Sequence, residues 1–228
     1  MWLRALGYIA LGILTVTCGA PRSTASMTSE PSACPANCIG PGKIVSAVGG
    51  FTVVLTEKWL SGGNTTQEFA ISPLNVTDDE ILFWLDVSPS TNRDEPVTGV
   101  PNTPKALYDW LAANPDLTVS TAQPVTIGDG IPAITLDLRV SDTAVNLDPN
   151  CPSRACIDFL WHTPPWSAPF GISDTVRLRV YLAQVGRGAK ANTLVIAVSA
   201  ADDEQLTALG PRVLSVLASI RLPDDLQP

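Results

Sequence analysis

The sequence predicts an α+β domain, a single antiparallel sheet with two main helices packed on it. Three observations predict it. The stretches "AITLDLRV" (133–140) and "TVRLRVYLAQV" (175–185) alternate apolar and polar residues at the two-residue period of a strand. The stretches "NTPKALYDWLAANP" (102–115) and "DDEQLTALGPRVLSVLASI" (202–220) repeat apolar residues at helical spacing. Between them "VTIGDGIPAITL" centres a hairpin on Gly128, Asp129 and Gly130, where backbone freedom is concentrated.

Taken in chain order, "GFTVVL" (50–55) is short and β-branched, which suits a strand. In "ILFWLDV" (81–87), Ile81, Phe83, Leu85 and Val87 are expected on one face. In the first helix Thr103 caps the start, Pro104 takes the first turn, and Pro115 sets the stop, with Leu107, Trp110 and Leu111 on one face. In 133–140, Ile134, Leu136, Leu138 and Val140 should point inward and Thr135, Asp137 and Arg139 outward. In 175–185, Val176, Leu178, Val180 and Leu182 stand against Arg177, Arg179 and Tyr181. That pattern predicts a sheet with one solvated face. "TLVIAVSA" (193–200) is almost wholly apolar and reads as a central strand. The last helix opens with acidic residues, which suit its positive end. Leu206, Leu209, Val213, Leu217 and Ile220 form its buried stripe, and Gly210-Pro211 should kink or restart it.

The N-terminus reads as a targeting segment. "MWLR" carries one cation, Arg4, and residues 5–16 are an apolar run too short to span a bilayer, which needs about 20 residues. Cys18 follows at once. The order resembles a bacterial lipobox, in which the signal is cut before a cysteine that carries a diacylglyceryl thioether. Val16 fits that pattern, while Thr15 and Thr17 stand where Leu and a Gly, Ala or Ser are usual. Cleavage after Ala25, giving a free secreted chain, and an uncleaved anchor are the competing readings. Residues 19–43 are rich in Pro, Ser, Thr, Gly and Ala, a composition that cannot bury a core and suits a spacer. The expected division is therefore signal peptide 1–17, flexible tether 18–43, one domain 44–223 and a tail 224–228.

Five cysteines are present, and setting Cys18 aside leaves Cys34, Cys38, Cys151 and Cys156. An even set suits two disulfides in an oxidising exterior. Three pairings are open, and the local one, Cys34–Cys38 with Cys151–Cys156, is preferred here. The spacings in "CPANC" and "CPSRAC" are longer than tight zinc knuckles use, so no metal site is expected.

The net charge is −8 with 14 basic residues, so no cationic face is available for nucleic acid. His162 is the only histidine, and no Gly-x-Ser-x-Gly elbow accompanies it. It sits in "FLWHTPPWSAPF" (159–170), where Trp161, His162, Trp166 and Phe170 form the candidate binding surface. The acidic bunch "NVTDDE" (75–80) lacks the alternating oxygens and central glycine of a calcium loop and reads as a solvated turn.

Four stretches together resemble a known group. They are "GGFTVVLTEKW", with Thr56 and Lys58 where Pro and Gly are usual, the helix and hairpin from Thr103 to Val140, "CIDFLW", and the final hairpin and helix from Leu178 to Leu222. The chain is similar to exported lipoproteins of high-GC Gram-positive bacteria whose domain has a PsbP-like α/β/α fold. The resemblance implies fold and location and no activity. The expected function is a non-catalytic cell-envelope lipoprotein on the outer face of the membrane, binding a protein, lipid or small apolar ligand. The alternative is a secreted hydrolase-like enzyme using His162. The domain is expected to be monomeric and to need neither metal nor cofactor.

Overall fold

The computed structural model describes residues 35–74, 79–91, 95–146, 150–162, 169–188 and 191–228. The first half of the chain gives β1 (Cys38–Ile39), β2 (Gly42–Val45), β3 (Thr52–Leu55), β4 (Trp59–Asn64), β5 (Phe69–Pro73), β6 (Glu80–Trp84), β7 (Val87–Thr91) and β8 (Glu95–Pro96). Then come α1 (Pro104–Ala113), β9 (Leu117–Val119), β10 (Gln123–Ile127), β11 (Ile131–Val140), β12 (Cys156–His162) and β13 (Pro169–Ser173). The chain closes with β14 (Arg177–Val185), β15 (Asn192–Ala200), α2 (Asp203–Ala218) and a 3₁₀ turn at Asp224–Leu226.

The single sheet expected from the sequence is corrected to three among the described residues. A nine-stranded sheet runs β1-β4-β5-β6-β15-β14-β11-β10, with β9 also on β11; a four-stranded sheet runs β13-β12-β7-β8; and β2 pairs β3. The large sheet is antiparallel throughout, and β15, the apolar run, sits in its middle between β6 and β14. The solvated face is also corrected. Alternate residues of the large sheet feed two separate cores. Tyr181, Ala183, Leu194, Ile196 and Val198 pack with the α2 stripe of Leu206, Leu209, Val213 and Leu217. Leu136, Leu138, Val180, Leu182, Val195 and Ala197 pack with Leu107 and Leu111 of α1 and with Ile157 and Phe159 of the small sheet. The two helices thus lie on opposite faces. Asp137, Arg177 and Arg179 stay polar because they lie at the sheet end beside the start of α2, where the Arg177 side chain lies 3.8 Å from Asp203.

The cause of the second sheet is one residue. Asp86 adopts φ of 54° between β6 and β7, the left-handed region that Asp enters more readily than most residues. Asn192 holds it there, its Oδ1 accepting from the Asp86 N–H at 3.4 Å and its amide donating to the Asp86 carboxylate. Ile81 and Phe83 therefore face the α2 core, while Val87 enters the opposite one and does not continue their face.

The helix caps follow the sequence. Thr103 Oγ1 accepts from the Ala106 N–H at 3.3 Å, and Asp202 accepts from the Gln205 N–H at 2.8 Å. The α2 helix runs as one element through Pro211, without the restart expected there. Proline frees the carbonyl four residues back. That residue, Thr207, is exposed, so water can take the bond. The hairpin after β10 docks on the end of this helix. Gly128, at φ of 51°, donates its N–H to the Leu217 carbonyl at 2.9 Å, and a Cβ there would lie 2.4 Å from the Ile220 oxygen.

Ordered pairing reaches into both segments read as extensions. Cys38 and Ile39 pair with Leu60 and Trp59, and Asn37 receives the Ser61 N–H at 2.8 Å. The main chain supplies hydrogen bonds that an apolar count cannot register. In the tail, Leu226 packs on the α2 core and accepts from the Gly186 N–H at 2.8 Å.

Candidate functional site

The His162 region is built on the four-stranded sheet where it covers the large one. His162 ends β12, opposite Val87, and Phe170 lies in β13 opposite Leu160. A register shift between Asp158 and Leu160 interrupts the alternation there. Phe170 lies 4.2 Å from the Trp84 ring and 5.4 Å from Phe159, while His162 meets Trp84 edge-on at 5.8 Å. Trp84 is fully buried, so its indole N–H needs a partner inside the protein. It donates to Glu68 Oε2 at 3.1 Å. Glu68 is positioned by a tight turn in which its N–H donates to Thr65 Oγ1 at 3.1 Å.

A second carboxylate stands nearby. Burial pushes Glu80 up to about 7, and the charge of Glu68 adds to the shift. A Cβ on Gly62 would lie 2.5 Å from Glu80 Oε1, so the glycine at the β4 irregularity makes room for this side chain. His162 is shifted the other way. Burial lowers its pKa below 6.5, and Glu68 only partly opposes that. The imidazole is therefore held neutral at pH 7, with one nitrogen to donate and one to accept. Among the described residues no Ser, Thr or Cys shares a hydrogen bond with it. This arrangement can offer hydrogen bonds and aromatic surface, and among the described residues it pairs no nucleophile with the imidazole.

Of the residues singled out in the sequence, the structure brings His162 and Phe170 together around Trp84. Trp161 is half-buried, pairs with Ser88 and Pro169, and joins none of these ring contacts among the described residues. Trp166 lies outside the described residues, as do Cys18 and Cys34. Cys151 and Cys156 form a disulfide with their Cα atoms 5.7 Å apart, and Cys38 is disulfide-bonded as well. Among the described residues no cluster of His, Cys, Asp and Glu is arranged to hold a metal ion. None of their helices is long and apolar enough to cross a membrane.

The acidic bunch is a correction. Asp79 is 3% exposed and Glu80 opens β6, so neither belongs to a solvated turn. Sequence reasoning also passed over Glu68 and Trp84. The signal for Trp84 was a tryptophan in an apolar strand, whose N–H must find an acceptor. Nothing in the sequence pointed to Glu68 as that acceptor.

Comparison with known proteins adds little to this geometry. No protein-family model matches the chain, and no curated protein matches it. The solution structure of cyanobacterial PsbP (CyanoP) from Synechocystis sp. PCC 6803 aligns with 86% of this chain and 99% of its own, at 13% identity and a TM-score of 0.41. At that distance the likeness carries no argument about what this chain does.

Proposed function

We propose that the chain is a non-catalytic cell-envelope lipoprotein, held at the outer face of the membrane by a diacylglyceryl group on Cys18. Its domain binds a protein, lipid or small apolar ligand at its surface, with Trp161, His162, Trp166 and Phe170 as the contact region. The observation that carries the binding reading is the closed interior. Phe51, Trp59, Phe83, Trp84 and Phe159, which line the interfaces between layers, keep 0–1% of their surface accessible. That leaves no space for a ligand beside these rings and favours recognition at the surface. His162 and Phe170, both part-buried, supply aromatic surface backed by a fixed Trp84. The anchor reading rests on the residues around Cys18, and two acyl chains suffice for stable anchoring.

Phase partitioning in detergent tests the anchor. Cys18→Ser should move the protein to the aqueous phase or leave it unprocessed. Wild type found in the aqueous phase with Ser26 as its first residue overturns it. Native mass spectrometry tests the binding reading with wild type and with His162→Ala plus Trp166→Ala. Loss of a co-purified ligand in the variant is expected. A hydrolytic activity lost only with His162 would replace this reading with the enzyme alternative.

A further inference from the structure

On the α2 side of the large sheet, β9, β11, β14 and the start of α2 enclose a groove of about 230 Å³. It is independent of the His162 edge. Arg139 and Arg177 line it, together with Asp137 and Asp203. Asp137 is engaged from outside the lining by Arg179, whose Nε and Nη2 donate to its two oxygens at 2.7 and 3.0 Å. The β11–β14 register carries Arg139 and Arg177 to facing positions one step beyond its last pair, Leu138↔Leu178. Like charges at facing positions on neighbouring strands destabilise a sheet.

The nearby carboxylates do little to relieve this pair. Arg139 stands 3.7 Å from Asp142 and Arg177 3.8 Å from Asp203, beyond hydrogen-bond length. Those aspartate side chains are 83% and 88% exposed, so water screens them. Arg177 commits Nη1 to the Asp174 and Val176 carbonyls, which leaves Nε and Nη2. Arg139 donates no hydrogen bond among the described residues. Ser120 Oγ accepts from the Asp137 N–H at 2.8 Å, so its own proton is available to a ligand in the same groove.

We propose that this groove binds a phosphate group, with Arg139 and Arg177 engaging it from facing strands and Ser120 donating a third bond. Two guanidinium forks side by side with a hydroxyl donor need an acceptor with at least three oxygens and more than one charge. A tetrahedral phosphomonoester meets both needs, and a planar carboxylate meets neither. The groove has room for the phosphate and a small organic group.

The test titrates the folded chain with inorganic phosphate and follows the arginine Nε–H signals by NMR alongside thermal unfolding. Saturable shifts of Arg139 and Arg177 and a rise in Tm are expected. The variant Arg139→Gln with Arg177→Gln should weaken binding at least about tenfold, which is the scale of one charge-assisted bond. Without phosphate it should be no less stable than wild type, since the facing charges are gone, and that result also shows that it folds. Glycerol 3-phosphate and phosphatidic acid vesicles then separate a free phosphomonoester from a lipid headgroup; tighter binding of either one supports the site and names its source. Shifts that never saturate, the same Tm rise in the variant, or equal competition by acetate would overturn the proposal.

Discussion

Glu80 is a part-buried carboxyl whose environment disfavours its charge. Its pKa rises from 4.5 unfolded to about 7 folded, through burial first and the charge of Glu68 second. Between those values the folded chain keeps a proton that the unfolded chain has released. Its contribution to stability is therefore full below pH 4.5, falls as pH rises through the window, and is gone above 7. After discounting for partial exposure the swing is about 2 kcal/mol. Glu80→Gln should remove that slope and leave the protein more stable than wild type at pH 8. Urea unfolding of both proteins across pH 5–8 measures the difference, and parallel pH profiles would contradict it. His162 has the opposite sign. Its folded pKa lies below 6.5, so the unfolded chain takes up a proton first and stability is lost as pH falls through that value. None of this was legible in the sequence. "NVTDDE" looks like any acidic turn, and only β4, with Gly62 beside the carboxylate, makes Glu80 a part-buried group.

The elements show where periodicity suffices and where it stops. The strands at β11, β14 and β15 and the Gly128–Gly130 turn were legible because each is a local pattern. The Thr103 cap and the acidic start of α2 were legible for the same reason, while Asp202 as the capping residue was not singled out. The run from Ile81 to Val87 was not. Its alternation is intact, but Asp86 rotates the chain into another sheet, and the partner that holds Asp86 lies 106 residues away. The α2 helix gives the clearest element-scale prediction. Pro211 sits on an exposed face inside a helix that continues through it. Pro211→Ala restores a donor for the Thr207 carbonyl and should stabilise the protein by about 1–3 kcal/mol. The expected signature is a higher urea midpoint with an unchanged m-value. A lower midpoint would mean that proline fixes an angle that α2 needs.

Across the whole molecule, the early strand β3 meets the segment that follows α2. Thr52 bridges Arg221, with N–H to carbonyl bonds of 2.8 and 2.9 Å in the two directions. The Val54 N–H donates to Ser219 Oγ at 2.9 Å, and Arg212 pairs with Glu57 at 2.5 Å. Arg212 also stacks on Trp59 at 5.0 Å from the ring centre. A chain ending at Ala218 would lose these β3 bonds together with buried Ile220 and Leu222. It should lose cooperative thermal unfolding, whereas a chain beginning at Ser32 should keep it. Differential scanning calorimetry of the two fragments is the check, and a sharp transition in the first would sink the claim.

The Thr52–Arg221 bridge also bears on the order of synthesis. A ribosome releases residue 52 long before residue 221, and a domain cannot close until its sequence-distant partners coexist. For most of its elongation this polypeptide has no complete α2 core to collapse onto.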